Sequence, residues 1–185
     1  QAHELDVKVG AFDLAGLRKA GIDAPVRGTL GVTVAASGTP ADPTIAVATN
    51  VKGFHWRMHR VGDVGATVKY ADARVNATVK GQVGDRGKID ARAGLPLAID
   101  LEGKSVKWDR HAMHDVHVGV TGVDRSVLVP LGAPIPMDAL IGLSLEANAK
   151  GGLDKFVADV ELHGQIGHTV FGGAPVHLSA HVEPK

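Results

Sequence analysis

Strict two-residue alternation of apolar and polar side chains runs through most of the chain and limits its fold more than any other feature. Leu30, Val32 and Val34 alternate with Thr29, Gly31 and Thr33, and Val64, Ala66, Val68 and Tyr70 with Gly65, Thr67 and Lys69. Val75, Ala77 and Val79 alternate with Asn76, Thr78 and Lys80. The pattern returns at Leu95, Leu97, Ile99 and Leu101, at Val116, Val118 and Val120, and at Leu143, Leu145, Ala147 and Ala149. It closes with Phe156, Ala158, Val160 and Leu162, then Val176, Leu178, Ala180 and Val182. A period of two puts one class of side chain on each face of a pleated strand. One greasy and one wetted face is the signature of an antiparallel sheet, since buried parallel strands are apolar on both sides. The chain is therefore expected to be all-β and antiparallel.

Turn chemistry separates the runs. Gly38-Thr39-Pro40-Ala41-Asp42-Pro43 and Gly84-Asp85-Arg86-Gly87 each join two strands, and Gly151-Gly152 and Gly172-Gly173-Ala174-Pro175 punctuate the end. Gly132-Ala133-Pro134-Ile135-Pro136 reads as a loop, because each proline lacks a ladder donor. One short helix is expected over residues 12–20. Asp13 caps it, Phe12 and Leu17 form a hydrophobic staple, Arg18 and Lys19 sit at its cation-favouring end, and Gly21 stops it. The organisation is then a single segment: the helix, strand repeats over 26–129, a loop over 130–137, and strand repeats over 138–185. The run from Gly28 through Gly38 to Ile45 is echoed from Gly142 through Gly151 to Phe156. Units that repeat and stack on neighbours give elongated structures.

Composition narrows the function. Lys+Arg and Asp+Glu are equal at 20 each, so no net field draws the chain to nucleic acid. Cysteine is absent, which excludes disulfides and thiolate metal sites. No stretch approaches the roughly 20 apolar residues of a membrane-spanning helix. The chain starts at Gln1 with no signal-like apolar region. It is accordingly expected to be a processed or excised piece, with any anchor or address outside it.

The stretch from Leu5 to Val51 carries a Leu-Asp-x-Lys strand, a Phe-Asp-Leu-Ala-Gly-Leu helix and the run Val26-Arg27-Gly28-Thr29-Leu30. The strand then breaks at Ser37-Gly38-Thr39-Pro40-Ala41-Asp42-Pro43 and returns at Thr44-Ile45-Ala46-Val47. This resembles a repeat of the TamB and AsmA-like family of bacterial envelope proteins, the hinge around Pro40 and Pro43 being the most specific part. At Gly151-Gly152-Leu153-Asp154-Lys155-Phe156 the hinge proline has no counterpart. The resemblance implies a curved, taco-like sheet with a greasy inner face, working in the periplasm as part of a larger protein anchored in the inner membrane. It implies a conduit for phospholipid acyl chains in outer-membrane biogenesis. The partners it implies are those chains, neighbouring repeats of the same protein and an outer-membrane protein.

Residues of types that carry other chemistry have simpler roles here. Among ten histidines, His111, His114 and His117 lie near Asp109 and Asp115, and His55 and His59 lie earlier. In a strand, His114 points away from the other two, and His111 and His117 stand about 20 Å apart. Solvated imidazoles are preferred to a metal site. Gly103-Lys104-Ser105 resembles the end of a phosphate-binding loop, but Ala98 stands where that motif needs glycine. Asn76-Ala77-Thr78 is a chance glycosylation sequon. No nucleophile elbow, dinucleotide fingerprint or zinc-protease motif occurs, so the chain is expected to be non-enzymatic and to need no cofactor or metal. The segment from Phe54 to Arg60 reads as an edge strand with a core Trp56, in preference to a headgroup contact.

Two functions remain open on these grounds. In the first, an open groove shields acyl chains with a lining of Leu30, Val32, Val34, Val64, Val68, Tyr70, Val75, Val79, Leu97, Ile99, Leu143, Leu145, Val160, Leu162, Val176 and Leu178. In the second, a closed sandwich or barrel packs that face on itself and binds a partner through an edge strand. The small side chains of Ala66, Ala77, Ala147, Ala149, Ala158 and Ala180 favour the groove, because a self-filled core wants bulk.

Overall fold

The computed structural model describes residues 4–22, 25–56, 59–84, 86–129, 132–152 and 154–183. In chain order the elements are β1 (Leu5–Asp13), a 3-10 helix (Leu14–Ala20), β2 (Val26–Gly38), β3 (Pro43–Trp56), β4 (His59–Ala71) and β5 (Arg74–Val83). There follow β6 (Gly87–Asp100), β7 (Ser105–Trp108), β8 (His114–Val123), α1 (Arg125–Leu128), β9 (Ala139–Gly151), β10 (Val157–His168) and β11 (Gly172–Val182). They build one curved, open, antiparallel sheet in the order β1-β2-β3-β4-β5-β6-β8-β9-β10-β11, with β7 paired to the far half of β6. Extensive contact is confined to neighbours in the sheet. Among the described residues no second layer meets the apolar face, and they form neither a closed sandwich nor a closed barrel.

The helix forms where the cap signals place it, as a 3-10 turn. The Asp13 carboxylate accepts from the Ala15 N–H at 2.9 Å, and Gly21 takes the left-handed stop at φ 82°. A segment this short with little to bury tightens readily into i→i+3 bonding. The one-turn helix α1 is an addition to the expected organisation. Asp124 caps it by accepting from the Ser126 N–H at 2.8 Å.

Two other expectations are corrected. Gly172–Pro175 is not a turn but the start of β11, which lies at the sheet's edge. An edge strand has one side without ladder partners, so it can hold a proline. Phe54 and His55 belong to β3 and Arg60 to β4, two central strands paired as a hairpin rather than an edge. Arg57 and Met58 lie outside the described residues. The echo between the two halves has a common geometry: a side chain on Gly38 would press on the Asp42 carbonyl, and one on Gly151 would strike the Lys155 carbonyl. Both glycines open a hairpin, β2–β3 and β9–β10.

A line of glycines bends the strands at one level. Bulges lie between Val9 and Phe12, Val51 and Phe54, and Val120 and Val123, and each spans a glycine. Gly53 and Gly122 take φ of 57° and 65°, as the glycine bulge requires. In β4, at the same level, Gly62 sits at φ 129°, where any Cβ would collide with the Gln82 carbonyl. Bulges and glycine kinks are the usual source of sheet curvature, and here those of β3, β4 and β8 share one row, with that of β1 one row away.

At the other end of the strands β6 outruns its neighbours. Past Pro96 it crosses the tops of β5, β4 and the β2–β3 turn. The Leu97 N–H donates to the Ala73 carbonyl at 2.9 Å, and the Leu101 N–H to the Pro40 carbonyl at 2.9 Å. Between them the Ile99 N–H donates to the Tyr70 hydroxyl at 2.8 Å, and that hydroxyl donates back to the Ile99 carbonyl at 3.4 Å. Residues 97–108 thus form a strap held by Tyr70, the sole large apolar side chain buried among the described residues, at 6% exposure.

The β4–β5 turn holds Asp72 and Ala73 at φ 52° and 53°, a type I′ geometry that favours glycine at its second position. Ala73→Gly is expected to raise stability by about 0.5–1 kcal/mol, because the left-handed conformation penalises a Cβ. Denaturant melts of the two proteins measure it; an unchanged midpoint refutes it.

Candidate functional site

Side chains of the same class line up across the whole sheet. One row reads Val7, Val34, Val47, Val68, Ala77, Ala93, Val116, Ala149, Ala158 and Val182, one residue from each strand of the main path. Two residues along, from β2 to β11, stand Val32, Thr49, Ala66, Val79, Ala91, Val118, Ala147, Val160 and Ala180. No side chain in either row is larger than valine.

The flanking rows are heavier. Below lie Phe12, Leu30, Val51, Val64, Gly81, Ile89, Val120, Leu145, Leu162 and Leu178. Above, over the first six strands, lie Leu5, Ala36, Ile45, Tyr70, Val75 and Leu95. Small side chains in the middle and larger ones on either side make a shallow apolar trough that crosses the strands. At about 4.8 Å between strands it runs for roughly 40 Å.

Fourteen of the sixteen lining candidates stand on this face. Leu143 and Val176 occupy a fifth, lower row through Gly164. Leu97 and Ile99 instead belong to the strap, paired with Trp108 and Val106. The face remains accessible: Val68 is 41% exposed, and Leu178 61%. Sequence reasoning missed Ile89, Ala91 and Ala93, which continue β6 across the trough, and Val47 and Val51 on β3. Alternation marks all five.

Polar groups on this side are few and mostly engaged. Thr49 is the one polar residue in the central rows. His114 is buried and accepts from the Trp108 Nε1–H at 2.9 Å, while its Nδ1 meets the Gly151 carbonyl at 3.2 Å. With Nε2 accepting from the indole, Nδ1–H is the donor to the Gly151 carbonyl. The opposite face carries the charge, for example the row Lys8, Thr33, Ala48, Thr67, Thr78, Arg92, His117, Asn148, Asp159 and His181. There the Arg92 hydrogen bond, with Lys80 adding to it, holds the Asp90 carboxyl below its usual range.

The histidines weighed as metal ligands are dispersed. His117 meets Asn148 on the polar face, His111 meets Asp154 on a loop, and His114 is spent on Trp108. Among the described residues no three His, Asp or Glu side chains converge as a ligand set, and no helix is long and apolar enough to cross a membrane. The chain matches no known family model, no curated protein and no solved structure.

His181 joins the edge strand β11 to β10 by pairing with Asp159, and also pairs with Glu183. Glu183 first and Asp159 second raise its pKa above the ordinary value. A raised folded-state pKa gives a contribution present in full below the unfolded value, about 6.5, and lost as pH rises through the folded one. The melting temperature of wild type is therefore expected to exceed that of His181→Gln at about pH 5 and to converge with it at about pH 8. A gap that widens at the higher pH refutes the pairing.

Proposed function

We propose that this chain is a non-catalytic lipid-binding segment whose trough shields phospholipid acyl chains. One observation carries the reading: among the described residues, nothing covers an apolar face that spans the whole sheet. The two central rows and their walls cover on the order of 800 Å², beyond the few hundred usual for a soluble monomer. Folded domains bury such a face against a second layer.

The chemistry of the face favours hydrocarbon over a protein partner. Protein interfaces hold about one hydrogen bond per 100–200 Å². Here Thr49 stands alone in the central rows, and the Tyr70 and His114 polar atoms are bonded within the chain. An occupant with no hydrogen bonds to make suits such a surface.

The resemblance of Leu5–Val51 to TamB and AsmA-like repeats supports the same reading and extends it. On that basis the segment works in the bacterial periplasm, within a larger envelope protein anchored in the inner membrane, in outer-membrane biogenesis. Neighbouring repeats fit its edges. The main path has ten strands, so β1 and β11 run in opposite directions, and a similar unit placed beside β11 extends the sheet antiparallel with its faces in phase. An outer-membrane protein is the remaining partner of this reading.

Val68 lies on the trough floor, and Lys69 on the opposite face beside Asn76. A photo-crosslinker at position 68 is expected to label copurifying or added phospholipid, and one at 69 not to. Val68→Asp is expected to fold with a loss of about 1–2 kcal/mol, since a partly exposed carboxylate stays hydrated, and to lose the lipid. Equal labelling from both positions, or none from 68, rejects the reading.

A further inference from the structure

The strand ends opposite the strap carry a second apolar feature, set apart from the trough. His168 pairs with both Ala139 and Gly172, which makes it the last rung shared by β9, β10 and β11. Beyond that rung lie the β10–β11 turn and the end of the loop that leads into β9. Phe171 is 86% exposed there, Met137 82% and Val170 76%, the three most exposed large apolar side chains among the described residues. The turn and the loop are tied together. The Thr169 N–H donates to the Asp138 carbonyl at 2.9 Å, and His168 Nε2 meets the Asp138 carboxylate. The Val170 N–H donates to His168 Nδ1 at 3.1 Å, and the Phe171 and His168 rings pack with centroids 5.2 Å apart. Arg125 holds Met137 by its carbonyl at 3.3 Å and by its sulfur at 2.7 Å.

We propose that this tip is a membrane contact: Val170, Phe171 and Met137 enter the interfacial layer of a phospholipid bilayer while the strands stay in water. The proposal concerns a surface outside the trough and does not depend on what the trough holds. Area is the first argument for a bilayer. Three such side chains present on the order of 400 Å², half of the roughly 800 Å² that each partner gives to a stable protein interface. A bilayer asks for no complementary surface, because binding scales with the apolar area immersed.

The second argument is hydrogen bonding. The Thr169 and Val170 N–H groups are both spent within the chain, and Asp138 and His168 are bonded to each other. Donors already satisfied are what entry into a lipid layer requires, whereas a protein partner draws on free ones. Position is the third. All three side chains lie past the final rung, so they can be immersed without carrying the charged face of the sheet with them.

The chain has no cysteine, so Val170→Cys gives a unique point for an environment-sensitive fluorophore. Val106→Cys gives the control, on the strap at the opposite end of the strands and 66% exposed. With phosphatidylcholine vesicles the label at 170 is expected to shift to the blue and brighten, and the label at 106 to stay as in buffer. Phe171→Ser is expected to lower cosedimentation of the whole chain with these vesicles about tenfold, the effect of leaving one aromatic side chain in water. Its photo-crosslinking of lipid from position 68 is expected to match that of the unsubstituted chain. A label at 170 that stays in water, or equal shifts at 170 and 106, overturns the membrane contact. So does a shift that grows with protein concentration in the absence of vesicles, which marks a second copy as the occupant. Water at 170 with crosslinked lipid at 68 removes the membrane contact and leaves the trough reading; insertion at 170 with no crosslink at 68 does the reverse. Should Phe171→Ser fail to fold by circular dichroism, the contrast between the labels at 170 and 106 decides alone.

Discussion

Everything in this molecule depends on register parity. Because side chains alternate with a period of two, a slip of one residue in any ladder would send that strand's valines to the polar face and its lysines to the trough. Nine successive ladders keep the same parity, so one row from Val7 to Val182 stays aliphatic over the full width. Bulges shift the alternation without breaking it. In β1 the apolar positions step from Val7 to Val9 and then jump three residues to Phe12; in β3 Val51 jumps to Phe54, and in β8 Val120 to Val123. The extra residue in each jump is absorbed at a glycine, and the next side chain returns to the apolar side.

That device bears on how much was legible in advance. The strands, their antiparallel arrangement and the faces of Val64–Tyr70 or Leu143–Ala149 follow from alternation alone. The bulges were legible too, as apolar spacings of three across a glycine, but a search for strict alternation reads them as strand ends. The β11 start was masked for the same reason: Gly172-Gly173-Ala174-Pro175 has turn composition, and only its place at an edge makes it tolerable as strand. The strap had no local signal. Leu97, Ile99 and Leu101 alternate like any strand, and nothing in their spacing says that Pro96 is the last residue beside β5. What turns them into a strap is the Tyr70 hydroxyl, a contact 29 residues distant in sequence.

A single-layer sheet stands apart energetically from an ordinary domain. Hydrophobic burial is the dominant favourable term in folding, and here it is incomplete because the second layer is missing. Tyr70 is the only large apolar side chain buried among the described residues, and even it keeps 6% exposure. Stability must then come from the ladders, from contacts between neighbouring side chains within each row, and from whatever covers the trough. An occupant that binds the folded sheet and not the unfolded chain stabilises it by mass action. On the proposed lipid-binding reading, binding and folding are thereby coupled, and removing the lipid lowers stability as well as function.

The shape of the trough sets the direction of that occupant. Valine and alanine line the floor across all ten strands, while leucine, isoleucine, phenylalanine and tyrosine stand in the rows to either side. A flexible chain gains most contact by lying along the floor, perpendicular to the strands, with heavier side chains on the lower flank throughout and on the upper flank over the first six strands. Along that direction the floor presents no hydrogen-bonding group but Thr49, so no position is strongly preferred over the next. On the proposed reading, a surface uniform along its length would hold a hydrocarbon while letting it slide, the property a conduit needs and a specific binding site avoids.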